Sequence, residues 1–209
     1  MLTWSAVLGF ATASFLITIC PGPSWIYAIT SAVRQNMTAG FVAVLGNGTG
    51  ILCHITAAAS GLAALLAVSP RLYATLQWAG VSYLAWLGFK MLWKGPAPLI
   101  ASQAGRRRTL WQVYRGGMLV NVLNPKVSVL MLALMPQFVD PARGSTTVQT
   151  LLLGATHWVI ATTVLAILVI LASRGASTFR PTPLFSSATR WGAGIALLLF
   201  SLSLALSSH

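Results

Sequence analysis

Residues 1–33 read MLTWSAVLGFATASFLITIC-PGP-SWIYAITSAV, an uncharged run interrupted by Pro21-Gly22-Pro23. As one straight helix it would measure about 50 Å at ~1.5 Å per residue, well beyond the ~30 Å hydrocarbon core of a bilayer. Proline removes a backbone donor and clashes with the preceding turn, and glycine adds backbone freedom, so this run predicts a broken helix. A second break stands in GGMLVNVLNPKVSVLMLAL, residues 116–134, at Asn124-Pro125-Lys126. Irregular backbone is tolerated at membrane depth only where protein or a water-filled cavity covers it. Paired breaks at comparable points of two halves are the sequence sign of a transporter's binding site.

Composition agrees with a membrane setting. Of 209 residues, 56% are hydrophobic and 7% charged, against roughly 25% charged in soluble domains. The net charge of +12 comes from thirteen Lys and Arg against a single acid, Asp140. In a soluble chain that balance would point to nucleic acid. Here the basic residues cluster between apolar runs, which is membrane topology, and no nucleic-acid partner is expected. The first apolar run lacks a basic leader and a small-residue cleavage site, so it is expected to remain as a span. Cys20 and Cys53 both sit in apolar runs without a CxxC pattern and read as small hydrophobes.

Six spans are predicted, at about 4–33 (broken), 41–67, 72–93, 113–138 (broken), 148–172 and 188–207. The fold class is thus all-α and membrane-integral, with two inverted three-helix halves at 1–93 and 116–209. A basic loop at 94–115, carrying Arg106-Arg107-Arg108, separates them. Loops one, three and five with their flanks hold ten Lys and Arg: Arg34, Lys90, Lys94, Arg106, Arg107, Arg108, Arg115, Arg174, Arg180 and Arg190. Loops two and four hold Arg71 and Arg143. Positive loops stay cytoplasmic, so both termini are expected outside. An odd number of spans per half makes the halves inverted, as in many secondary transporters. The Arg106–Arg108 run would either bind anionic lipid or serve only to set topology.

Few side chains can carry chemistry at membrane depth. Gly46, Gly50 and His54 lie at i, i+4 and i+8, on one face of span two, beside Asn47. Such a face serves close helix packing, within the chain or in a homodimer, or the smooth wall of a substrate path. His54 is a candidate for proton coupling, since imidazole titrates near about 6.5, and equally for a bond to a backbone carbonyl. His157 is the weaker candidate, because Trp158 beside it suggests the outer interface. Lys126 lies too deep for casual placement, and either attracts a substrate carboxylate or plugs the break. Pro125 frees the carbonyl of Asn121, for which Asn121 and Asn124 offer side-chain partners. One acid cannot form a carboxylate pair, no metal spacing is present, and no phosphate-binding loop exists. An enzyme, a cofactor and a metal site are therefore not expected.

At these residues the chain resembles the LysE/RhtB family of bacterial amino-acid exporters. The resemblance rests on Pro21-Gly22-Pro23, the glycine face ending at His54 followed by AASGL at 58–62, and WAGVSYLAWLG at 78–88. It continues in NVLNPK at 121–126 and PQFVDP at 136–141. It implies export of amino acids or similar small zwitterions across the bacterial inner membrane, driven by the proton gradient. Several family members carry an acid in span five at about the position of Ala161, so this chain departs from the pattern there. Without that acid, Tyr83, Asn47, free carbonyls at the breaks and aromatic faces remain for a substrate amine.

The expected site therefore comprises Pro21, Gly22, Pro23, Gly46, Asn47, Gly50, Tyr83, Asn121, Asn124, Pro125 and Lys126, with His54 for the proton. The alternatives are a metal or inorganic-ion exporter, for which only Cys20 and Cys53 offer soft ligands, and a membrane scaffold without substrate.

Overall fold

The computed structural model describes residues 2–68, 70–94 and 107–174, with 191, 192, 194, 195, 197–199, 201–203, 205 and 206. Every regular element among them is helical. Helix α1 (Trp4–Ile19) starts at Thr3, whose hydroxyl accepts from the Ala6 N–H at 3.1 Å, the usual way to satisfy an orphan donor of the first turn. It stops at Cys20, and α2 (Pro23–Arg34) restarts with proline in its first turn, where the missing N–H costs nothing. The two axes differ by 54°.

The second break is built alike. Helix α5 (Leu110–Val122) opens with a reciprocal capping box between Thr109 and Gln112. Helix α5 thus begins at Leu110, slightly ahead of the expected start of span four at about 113. After Leu123, α6 (Pro125–Val129) is capped by the Asn124 side chain, and the chain continues through a π turn (Leu130–Leu134) and a 3-10 turn (Met135–Phe138). The bend between Leu110–Val122 and Pro125–Phe138 is 47°.

Three longer helices frame these pairs: α3 (Met37–Val68), α4 (Pro70–Lys94) and α7 (Thr146–Arg174). By length and hydropathy, Met37–Gly61 and Thr146–Arg174 can each cross a membrane, and each bent pair can add one more crossing. Helix α4 covers the third expected span, and the described residues of 191–206 that have an assigned state are helical within the sixth. The loop run at 95–106, including Arg106, lies outside the described residues, as do Arg180 and Arg190.

Close packing of α3 against α5 and α7 organises the bundle. The α3–α5 seam is a backbone-on-backbone approach. A Cβ on Gly46 would strike the Tyr114 carbonyl, one on Gly50 would lie 2.8 Å from the Met118 carbonyl, and one on Gly117 2.5 Å from that of Ala43. The α3 glycines thus serve the packing face. Two apolar clusters result, one around Phe10, Ile51, Leu130 and Leu153, the other around Trp25, Ile29, Val113 and Val169.

Candidate functional site

Breaking α1 leaves its last carbonyls without intrahelical partners. The Thr18 carbonyl accepts from the indole N–H of Trp25 at 2.7 Å, across the break. The Ile17 carbonyl accepts from Lys126 Nζ at 3.0 Å, and the Cys20 carbonyl accepts from the same ammonium. Lys126 is 8% exposed. The sole acid, Asp140, forms its ion pair elsewhere, with Arg143 at 2.9 Å on the exposed surface. Carbonyls and the negative end of the α1 dipole thus receive the buried charge. Gly22 lets the lysine in, because a Cβ there would sit 3.1 Å from its Cε and 3.2 Å from its Nζ.

Asparagines fasten the second break to the first. Asn124 Oδ1 accepts from the Lys126 backbone N–H at 3.1 Å, while its Nδ2 donates to Ser24 Oγ at 3.2 Å. Asn121 Nδ2 donates to Asn47 Oδ1 at 3.0 Å. The Asn121 carbonyl, freed by Pro125, accepts from the Asn124 N–H at 2.8 Å and from His54 Nε2–H at 3.2 Å. Proline chemistry in one element is thereby answered by a histidine of another.

A cavity of ≈ 30 Å³ lies where the two apolar clusters meet. Its polar side is lined by Thr18, Gly22, Ser24, Asn47, Asn121, Asn124, Lys126 and His157, its apolar side by Ile17, Trp25, Ile51, Val127, Ala161 and Leu165. One water needs about 10–15 Å³ by this measure, so the cavity holds about two waters and no amino acid. Three residues that line it each hold a buried atom without a hydrogen-bond partner: Thr18 Oγ1, Asn121 Oδ1 and His157 Nε2. Buried polar atoms are normally satisfied, and these three leave capacity for a further hydrogen bond in residues beside the cavity.

Of the expected site residues, the cavity wall contains Gly22, Asn47, Asn121, Asn124 and Lys126. It does not contain Pro21, Pro23, Gly46, Gly50, Pro125, Tyr83 or His54. The prolines make the breaks without touching the space between them. Tyr83 is half-buried on α4 against Trp86, and His54 is half-buried behind Asn121. Polar or aromatic wall residues not foreseen are Thr18, Ser24 and Trp25, and His157, the weaker candidate in the sequence, stands in the wall as well. Trp158 donates to the Gly48 carbonyl at 3.2 Å, fixing its ring against α3. His157 therefore faces inward, fully buried. Its place one turn from Ala161 was the available signal, since both line the cavity.

Taken together, the helical spans and the cavity at two interlocked breaks define a multi-pass membrane protein of the transporter class. The chain belongs to the LysE type translocator family, which it matches over residues 15–208. It is 31% identical to an uncharacterized membrane protein of Vibrio cholerae serotype O1, over 65% of this chain and 66% of that one. It is 28% identical to the homoserine/homoserine lactone efflux protein of Salmonella typhimurium over 76% of each chain. To the leucine efflux protein of Enterobacter sp. (strain 638) it is 27% identical, over 73% of this chain and 71% of the other. No solved structure matches.

Proposed function

We propose that this protein exports a neutral amino acid or related zwitterion across the bacterial inner membrane by alternating access, using the proton gradient. The reading takes six spans in two inverted halves, with both termini outside and the basic loops against the lipids of the inner face. Relatives named for homoserine and leucine efflux support the substrate class. The observation that carries the reading is Lys126, a buried cation that bonds the C-terminal end of α1 and lines the cavity between the breaks.

The chemistry follows from competition for that ammonium. Lysine has three donors, and two are held by the carbonyls of Ile17 and Cys20. A substrate carboxylate makes a charge-assisted bond roughly twice as strong as a neutral one. The N-terminus of α2 faces the same space and has no side-chain cap at Gly22, adding partial positive charge for the same anion. As the carboxylate draws Lys126 away, the α1 carbonyls lose their partner and the break loosens. Binding thus releases the contact that closes the site. Thr18 Oγ1 and Asn121 Oδ1 are acceptors for the substrate ammonium, while His54 steadies Asn121. The apolar wall, without an acid, selects against a cationic side chain.

Counterflow in proteoliposomes with a panel of labelled amino acids tests the reading. Uptake of neutral amino acids by the wild type, lost in Lys126→Ala that still inserts in the membrane, is the expected result. Normal exchange by that variant would remove Lys126 from the mechanism.

A further inference from the structure

His157 is the one ring at the cavity whose hydrogen bonding is half complete. One nitrogen, Nδ1, lies 2.7 Å from Ser14 Oγ on α1. The other, Nε2, is buried without a partner, in a residue that lines the cavity. His54 differs, since its Nε2 is spent on the Asn121 carbonyl. Lys126 differs too, because it carries the positive charge that a carboxylate needs. In the tautomer that donates Nδ1–H to Ser14, the neutral imidazole has one lone pair on Nε2. That lone pair can accept a hydrogen bond from a substrate ammonium or take a proton, and it cannot do both at once.

Resting on the exporter reading above, we propose that substrate ammonium and proton compete for His157 Nε2, making His157 the residue that couples export to the proton gradient. On the inner side the neutral ring binds the ammonium while Lys126 takes the carboxylate. On the outer side a proton from water joins Nε2, the ammonium bond breaks, and the substrate leaves a site that now holds two cations. On return Nε2–H gives its proton to inner water and the lone pair is restored. One proton enters for each zwitterion that leaves. The other titratable side chains beside this cavity are Lys126 of α6, in its wall, and His54 of α3, bonded to the Asn121 carbonyl. Helix α1 has no titratable side chain from Trp4 to Ile19, and neither does Met135–Phe138. Tyr27 and Arg34, the titratable residues of α2, lie further along, with Tyr27 bonded to the Val113 carbonyl at 3.0 Å.

The test needs no variant at first. In wild-type proteoliposomes with equal pH on both sides, the apparent KM for counterflow of an exchanged neutral amino acid is measured between pH 5 and 8. Competition predicts that KM rises as the pH falls while the maximal rate holds. A KM independent of pH would overturn the proposal and leave the exporter reading standing, whereas a wild type that exchanges no amino acid would sink both. His157→Gln then separates the roles, because its amide oxygen accepts a hydrogen bond and cannot be protonated in this range. Exchange is expected to persist with a raised KM, since the amide oxygen replaces the ring nitrogen that binds the ammonium, but with that KM flat in pH, and accumulation driven by a pH gradient is expected to fall to simple equilibration. Gradient-driven accumulation equal to wild type would overturn the coupling role. Should that variant not fold, the wild-type pH series decides the matter alone.

Discussion

Replacing Lys126 by methionine keeps an unbranched chain of similar length and deletes the ammonium. On stability, two terms oppose each other. The carbonyls of Ile17 and Cys20 lose their donor, at about 1–3 kcal/mol for each buried unsatisfied group, or about 2–6 kcal/mol together. Against this, a buried charge no longer has to be desolvated, a relief of several kcal/mol. The net change is therefore small compared with either term, and Lys126→Met is expected to remain folded and inserted. On transport nothing compensates. The charged hydrogen bond to a substrate carboxylate contributes about 1.5–3 kcal/mol, so KM should rise roughly 10- to 150-fold at ~1.4 kcal/mol per decade. Counterflow kinetics in proteoliposomes, paired with a melting curve in detergent, reads both quantities. A folded variant whose KM stays within about twofold of wild type would refute the carboxylate role.

Other consequences follow from the same contacts. Asn124→Ala removes the cap of α6 and the bond to Ser24, and should cost about 0.5–2 kcal/mol, read as a lower melting temperature. Gly50→Ala puts a Cβ 2.7 Å from Asn121 Cβ and 2.8 Å from the Met118 carbonyl; overpacking of this kind costs about 1–3 kcal/mol, and the same melting assay should show it. Asp140→Asn breaks an exposed i,i+3 pair with Arg143 worth roughly 0.2–1 kcal/mol. Counterflow by that variant should match wild type, and a loss of exchange would place the sole acid in the transport cycle.

What could be read from the sequence was what depends on neighbours along the chain. Pro21 and Pro23 break α1 from α2, and Pro125 separates α5 from α6, because the missing donor and the ring clash act within one turn. The glycines at 46 and 50 announced a close approach by their spacing, but not that α5 would be the partner. The inward side of His157 was hidden by Trp158, whose indole fits a lipid interface as well as it fits the Gly48 carbonyl. Least legible was the lysine contact itself. Lys126 and Ile17 are separated by 109 positions, and only the packing of one half on the other brings the freed carbonyls of the first break to the ammonium of the second. Thr18 is silent in sequence for the same reason, since a threonine near a helix end normally satisfies itself locally, whereas here its buried hydroxyl has no hydrogen-bond partner.

In the proposed cycle the space between the two breaks receives the substrate. Substrate protection of a thiol placed there tests it most directly. In a background with Cys20→Ala and Cys53→Ala, Ser24→Cys puts a reactive group on the cavity wall beside Asn124. Labelling by a membrane-impermeant maleimide is followed from each side of the membrane, with and without an amino acid that the protein exchanges. Labelling is expected from both sides as the site alternates, slowed by the exchanged amino acid and unaffected by one that is not exchanged. Labelling at the same rate with and without substrate would contradict it.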